Sequence, residues 1–425
     1  MKNIQSIRGI HDSLPNDTIY FQYIENIFKN LVSNYGYHEI RLPILEYTVL
    51  FLQSIGKTTD VINKEMYTFV DKNKNKITLR PEGTAGCIRA IIQHKLLYKK
   101  KQRLFYMGPM FRRERPQKGR YRQFHQLGAE VLGYEGPKID IELIVLTFRL
   151  WKILKINKYI FLEINFIGSN KEYKKYEKEL TTFFKKHENH FNEDYKKRIK
   201  NNPMRILDTK NLDIKHIIDD APIITDFLNE KSRIYFTNIC NCLDLLNIPY
   251  TINPYLVRGL DYYNYTIFEW VTYNLGSKLA ICGGGRYNHL IEKLGGKENP
   301  AAGFAIGLER LTLLMQKNNS NYIFCKSTDI YIISSNDDSI KNKAILLSEY
   351  IRNILPSLQI IVNYDNKNLK KKFIQANKHK TKIVLLLDKE KEKTKLITLK
   401  NLITNEQKIL HKNEIIKNLK FIFNL

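Results

Sequence analysis

Apolar positions along this chain alternate between a helical and a strand-like period. In TIYFQYIENIFKNLVSNYG they recur every three to four residues and predict a helix near 17–35; GYHEIRLPILE then reads as a strand at 37–42. A helix is expected at about 84–98, with strands around 103–114 and 122–132. From about 168 to 235 the texture becomes charged and helix-periodic (NKEYKKYEKELTTFFKKHENHFNEDYKKRIK), which predicts a helical insertion, and strand patterns resume near 249. IFCKSTD (323–329) reads as a linker. Beyond it DIYIISS, a helix near 337–354, LQIIVNYD, a short helix near 368–377, KIVLLLD and KLITLKNL alternate as in a small open α/β domain.

Composition narrows the class. A chain of 425 residues exceeds what one hydrophobic core usually supports, so two or three domains are expected. With 43% hydrophobic and 26% charged residues it reads as soluble and globular. MKNIQSIRGIHD lacks the apolar core of a signal peptide, and no long uncharged apolar run occurs elsewhere, so a cytoplasmic protein without a membrane segment is expected. The five cysteines are scattered, and Cys240-x-Cys242 has no second pair to complete a zinc site, so buried structural cysteines and no metal centre are the reading. The formal net charge of +26 favours polyanionic partners, nucleic acid above all. The abundance of Lys, Asn, Ile, Tyr and Phe beside sparse Gly and Ala is also what drift in an AT-rich genome produces, so charge alone leaves the partner open.

Three stretches carry chemistry. Residues 111–130 read as two antiparallel strands joined by RPQKGRY, with Arg112 and Glu114 on one face of the first and Phe124, Gln126 and Glu130 on one face of the second. Gly128 lies on that same face and is expected to leave space for a ligand. Burying such polar groups unpaired costs several kcal/mol, which implies a partner unless the face is solvated. In GFAIGLERLTLLMQK, Gly303, Gly307 and Arg310 fall at i, i+4 and i+7 and read as one face of a helix, the glycines requiring a close packing contact. RGLDYYNYTIFEW (258–270) sets an arginine and an acid beside two tyrosines at the mouth of a strand. Arg258 and Tyr263 are five apart and cannot share a face of one straight strand, so Arg258 is placed on the turn before it, helped by Gly259. IGKTTD (55–60) lacks the glycine spacing of a phosphate loop, and GGGRY (283–287) lacks the pattern of a dinucleotide-binding turn.

Together with RPEGTAG (80–86), these stretches, in order and along the whole chain, resemble the histidyl-tRNA synthetases, a class II aminoacyl-tRNA synthetase family. The resemblance implies an α/β fold: an antiparallel-sheet catalytic domain at 1–325 with the insertion at about 168–235, and an anticodon-binding domain at 326–425. It puts Arg112 on the ATP α-phosphate, Glu114 on the adenine amino group, Phe124 against the ring and Arg310 opposite it, near the γ-phosphate. Glu82, Thr84 and Gln126 would bind the ammonium end of histidine, and Glu130 and Tyr263 its imidazole. Tyr262 and Tyr287 complete that pocket, with Arg258 across the α-phosphate from Arg112. Arg115, Gln117, Lys118, Arg120 and Arg122 would meet the tRNA acceptor end, or else form a solvated basic hairpin. Pro43 falls where the family's dimer-interface proline lies, which implies a homodimer. Tyr265, Asn288-His289 and Ala129 depart from residues common in the family, and NKNLKKKF and LLLDKE lack glycines that relatives carry.

The activity so implied uses ATP with Mg²⁺ to convert L-histidine to histidyl-adenylate, then passes the histidyl group to the 3′-terminal adenosine of tRNA(His). Polar partners for each ring nitrogen would reject other amino acids by factors up to about 10⁴–10⁵, so editing would be unnecessary. Two rival readings are disfavoured. A synthetase-like regulatory subunit tends to lose the ATP-binding arginines and the last domain, both of which are present here. A synthetase for another amino acid is disfavoured by Glu130 with RGLDYY.

Overall fold

The computed structural model describes residues 4–56, 58–209, 211–318 and 328–425. The chain divides into two compact units, Met1–Tyr322 and Ile323–Leu425. Most of the linker expected at 323–329, Cys325 included, lies outside the described residues.

Unit 1 contains the strands β1 (His38–Glu39), β2 (Leu45–Tyr47), β3 (Tyr67–Val70), β4 (Lys76–Leu79), β5 (Gln102–Phe111), β6 (Gln123–Leu132), β7 (Phe161–Phe166), β8 (Tyr250–Ile252), β9 (Asn264–Thr272), β10 (Leu279–Arg286) and β11 (Ala301–Gly307). Eight of them form one sheet in the order β1-β5-β6-β11-β10-β9-β7-β8, antiparallel through the middle and parallel at the two outermost pairs. Period-two alternation then sorts the side chains. Leu127, Ala129 and Val131 of β6 are buried on one face with Phe105 and Phe304, and the helix Pro15–Asn34 packs there through Phe28, edge-on to both rings. That helix begins with proline in its first turn and is followed by Gly36 at φ +78°, the start and stop signals of an α-helix. The helix Pro137–Ile153 covers the same face, with Leu143, Leu150 and Trp151 fully buried. The even-numbered residues of β6 are left facing the opposite side.

The helix near 84–98 is shorter than expected, Thr84–Gln93, because the backbone turns over at Lys95, which has φ +52°. The charged stretch after β7 folds into short helices around their own core of Tyr176, Leu180, Phe184, Ile199, Ile206, Ile217 and Ile224. Its ends are joined by one carboxylate: Glu172 accepts from the backbone N–H groups of Ser169 and Asn229, each at 2.7 Å, and from the Ser232 hydroxyl at 3.0 Å.

GFAIGLERL is not one helix. Residues 301–307 are β11, hydrogen-bonded to β6 on one side and β10 on the other, and the helix Leu308–Asn318 begins only after Gly307. The i, i+4 spacing of the glycines is thus incidental, and it is their even separation along a strand that puts Gly303 and Gly307 on one face.

Unit 2 is a five-stranded sheet of order β13-β12-β14-β15-β16, made from β12 (Ile330–Ser334), β13 (Ile360–Val362), β14 (Ile383–Leu387), β15 (Leu396–Asn401) and β16 (Gln407–His411). The helices Asp338–Ile354 and Leu369–Lys378 fall where the sequence places them. Strand β16 and the helix Ile415–Phe423 were not anticipated; the latter buries Ile415 and Leu419 in the same core.

Candidate active site

The opposite face of the large sheet, covered at one end by the helix Thr84–Gln93, floors a cleft of about 720 Å³. Its floor is glycine-rich backbone. Gly283 of β10 lies under the Arg258 guanidinium and Gly303 of β11 against the Glu130 carboxyl, so that a Cβ at either would collide. The walls come from separated segments: 82–84, β6 with its preceding loop, 258–263, the β10–β11 side with Arg310, and, farther out, residues 60–65, 253–256 and Arg205 to Ile218 of the insertion.

At one end stands Glu130, only 1% exposed. Thr84 Oγ1 donates to its Oε1 at 2.7 Å, the Tyr106 hydroxyl to the same oxygen at 3.1 Å, and the Tyr287 hydroxyl to Oε2. Burial nonetheless wins over these bonds and pushes the carboxyl up to about 8. Beside it Glu82 accepts from the backbone N–H groups of Thr84 and Ala85, each at 2.8 Å, where the helix Thr84–Gln93 begins. Burial raises Glu82 as well, against those two bonds. The rings of Tyr262, Tyr263 and Tyr287 close the wall, with centroids 4.7, 5.5 and 6.2 Å apart. Gln126 lines the cleft, and its buried Oε1 has no hydrogen-bond partner among the described residues. An acidic, hydroxyl-rich pocket with an unpaired acceptor fits a small cationic ligand that carries N–H donors.

Toward the other end the charge reverses. Arg112, Arg120, Arg258 and Arg310 all line the cleft. Arg112 donates to the Pro81 carbonyl at 2.8 Å and its guanidinium lies 5.4 Å from the centre of the Phe124 ring. Arg310 is anchored by bonds to the Gly119 and Ala280 carbonyls, each at 2.8 Å. Burial, then the nearby Arg120, lower its pKa, the mark of cations gathered without enough compensating acid. Arg258 pairs with Glu269 and lies 5.7 Å from the Tyr263 ring. Burial is the largest influence and opposes its charge, but Glu269 together with Tyr263, Tyr262 and Cys282 more than offsets it and holds the arginine protonated. Strand β9 begins only at Asn264, so Arg258 and Tyr263 both sit on the preceding loop, free of strand parity.

Three sequence readings of this region need correction. Glu114 does not share a strand face with Arg112, because β5 ends at Phe111 and the Glu114 N–H turns back to the Arg112 carbonyl at 2.8 Å. Glu114 still enters the cleft, 3.5 Å from Arg120. The space over Gly128 is filled by the protein itself: Tyr106, its cross-strand partner, lays its ring where a Cβ would be. Nor do the five loop residues form one basic surface. Arg115, Gln117 and Lys118 are exposed, whereas Arg120 turns into the cleft and Arg122 bonds to the Glu114 and Arg8 carbonyls at 3.3 and 3.1 Å. Sequence reasoning missed Tyr106 and Glu269. Tyr106 was detectable by extending the strand pairing upstream, and Glu269 by following RGLDYYNYTIFEW along its strand.

The chain matches the family model described as histidyl-tRNA synthetase over residues 9–168 and 205–311, and an anticodon binding domain model over 329–422. It is 53% identical, over 100% of its length and 97% of the relative's, to the histidine–tRNA ligase of Blochmanniella pennsylvanica (strain BPEN). Among solved structures it resembles apo histidyl-tRNA synthetase of S. aureus, with a TM-score of 0.82, 34% identity, and coverage of 98% of this chain and 100% of the other. A protein of Bacillus halodurans C described as an ATP phosphoribosyltransferase regulatory subunit/histidyl-tRNA synthetase shares the fold at a TM-score of 0.63 and 19% identity, covering 89% of this chain and 97% of its own. With the family model spanning most of the large unit and a full-length relative above half identity, the chain belongs to the histidyl-tRNA synthetase family.

Proposed function

We infer that this chain is a histidine–tRNA ligase that activates L-histidine with ATP and transfers it to tRNA(His). The observation that carries the reading is the contrast along one cleft: a buried glutamic acid ringed by hydroxyls behind one end, a cluster of guanidiniums at the other. Histidine fits the first end, with its imidazole at Glu130 and Tyr263 and its ammonium toward Glu82, Thr84 and the Gln126 oxygen. Tyr262 and Tyr287 enclose it. The triphosphate fits the second, with adenine between Phe124 and Arg310 and its amino group toward Glu114.

In this arrangement the histidine carboxylate attacks the α-phosphorus, a new O–P bond forms and pyrophosphate departs. Arg112 and Arg258 supply fixed positive charge on either side as negative charge builds on the α-phosphoryl oxygens. A hydroxyl of the terminal adenosine of tRNA then attacks the histidyl carbonyl and AMP leaves. No protein nucleophile is needed; rate comes from position and electrostatics. Mg²⁺ arrives with ATP as part of the substrate, since it is held through phosphates and water more than by an all-protein cage. Arg115, Gln117 and Lys118 are the loop residues placed to meet the acceptor end.

The protein works in the cytoplasm; no helix among the described residues is long and apolar enough to cross a membrane. It acts as a homodimer. Supporting this, Ile44, Leu45, Tyr47, Val49, Phe69 and Val70 are exposed on or beside the small sheet β2-β4-β3, next to Pro43, an apolar patch of the kind that marks an interface. Sedimentation of Tyr47→Glu alongside wild type tests it: a monomeric wild type would refute the dimer.

The ligase reading is tested by ATP–pyrophosphate exchange with each of the twenty amino acids. Exchange with histidine alone is expected. Comparable exchange with another amino acid, or none with histidine, would overturn it.

A further inference from the structure

The loop bearing Arg258, Tyr262 and Tyr263 is tied to the helical insertion through a side chain that does not line the cleft. Asp261 Oδ1 accepts from Asn202 Nδ2 at 3.1 Å and from Arg205 at 3.2 Å, both residues of the helical insertion. Its Oδ2 accepts from the Thr58 hydroxyl at 3.3 Å, and its backbone N–H donates to the Ile55 carbonyl at 3.0 Å. Gly56 presses against the same carboxylate with φ +103°, a conformation and a contact that both exclude a side chain. IGKTTD, which has phosphate-loop residues without phosphate-loop spacing, thus gains a different role: it is half of a clamp on Asp261.

On the cleft side the loop is held by packing, Tyr262 being buried among Cys87, Ile88 and Tyr287. On the other side a pocket of about 100 Å³ lies between Tyr173, Asn202 and Met204 of the insertion and Val257, Leu260 and Tyr263 of the loop. There the insertion reaches the loop through the polar contacts at Asp261, which lies three residues after Arg258 and directly before Tyr262.

We infer that Asp261 is a positioning residue for histidine activation, through which the helical insertion fixes Arg258, Tyr262 and Tyr263. The inference rests on the ligase reading above. It acts through geometry, because a misplacement of about 1 Å in a reacting constellation costs about 10²-fold in rate.

The test begins with histidine-dependent exchange by the wild-type protein, where a failure of the ligase reading itself would appear before any variant is read. Asp261→Ala is then compared with the double variant Asn202→Ala/Arg205→Ala, which removes the insertion's half of the clamp and leaves the loop sequence intact. Pre-steady-state adenylate formation, KM for histidine and KM for ATP are measured, with active sites titrated so that only folded protein is counted. Either change is expected to slow adenylation by about tenfold or more and raise the histidine KM by about fivefold, with the ATP KM within about twofold of wild type. Adding Asp261→Ala to the double variant is expected to change little further, because groups that act as one unit are not additive. Should Asp261→Ala fail to fold, the double variant decides alone. Wild-type rate and histidine KM per titrated site, with or without a drop in Tm, would overturn the inference; so would fully additive losses.

Discussion

Glu130 of β6 and Gly303 of β11 face each other across the sheet, and the Glu130 carboxylate lies where a Cβ at position 303 would have to be. Strand β11 is bonded on both sides and cannot step back. Gly303→Ala is therefore expected to displace Glu130 and raise the histidine KM by at least about tenfold, the scale of one lost buried hydrogen bond, with little change for ATP. An unchanged histidine KM in exchange assays would count against Glu130 as a histidine ligand.

The pH dependence of stability offers a second check on Glu130. Burial pushes its folded-state pKa up to about 8, whereas an unfolded chain releases that proton near about 4.3. Between those values the folded protein binds the extra proton, so this group's contribution to stability is full at low pH and is lost as pH rises through the window. Glu130→Gln removes the dependence. The Tm of the glutamine variant relative to wild type is expected to climb between pH 5 and pH 8.5, and a difference that stays flat over that range would refute the raised pKa.

Arg258→Ala is expected to slow adenylate formation by about 10²-fold, with a smaller effect on histidine affinity, because its charge matters most as the α-phosphate becomes crowded. It also strands Glu269, so Tm falls. In Arg258→Ala/Glu269→Gln the uncompensated charge is gone; thermal stability is expected to recover while the rate does not. Recovery of both in stopped-flow and melting measurements would make Arg258 structural.

The C-terminal unit separates lysines by role. Lys370 and Lys371 are exposed, but Lys372 is buried and donates to the Ser334 carbonyl at 2.8 Å and Asn336 Oδ1 at 3.0 Å. It is thus not available to phosphate, although the three lysines are consecutive in the chain. Lys372→Met is expected to lower Tm and leave the salt dependence of tRNA binding unchanged. A fragment ending near Cys325 is expected to form histidyl-adenylate, charge tRNA poorly, and lose roughly 0.7–0.9 in log–log salt slope per phosphate contact removed. Equal slopes for fragment and full chain would exclude a tRNA-binding role for this unit.

Much of this was readable in the chain because period and spacing act locally. The pairing of 102–111 with 123–132, the alternating face of Phe124, Gln126 and Glu130, and the α/β order after residue 329 all follow from neighbours in sequence. The failures were of two kinds. GFAIGLE satisfied a helical spacing by chance, and only its position between β6 and β10 makes it a strand. The space over Gly128 was assigned to a ligand because nothing local announces Tyr106, which reaches it across the hairpin. Glu269 was missed, and Asp261 stood out only as an acid beside two tyrosines, since their significance lies in partners eleven and more than fifty residues away, Arg258 and Arg205.

Only 20 glycines occur in 425 residues. Glycine codons are GC-rich, so mutational drift toward A and T erodes this residue wherever its loss is harmless. Those at 83, 128, 283, 284 and 303 stand where a Cβ would strike Tyr106, Arg258, Glu130 or the facing backbone. Of these, Gly283 and Gly303 line the cleft, so their replacement would reshape the floor on which the substrates rest, and no drift in composition can remove them without cost to the site.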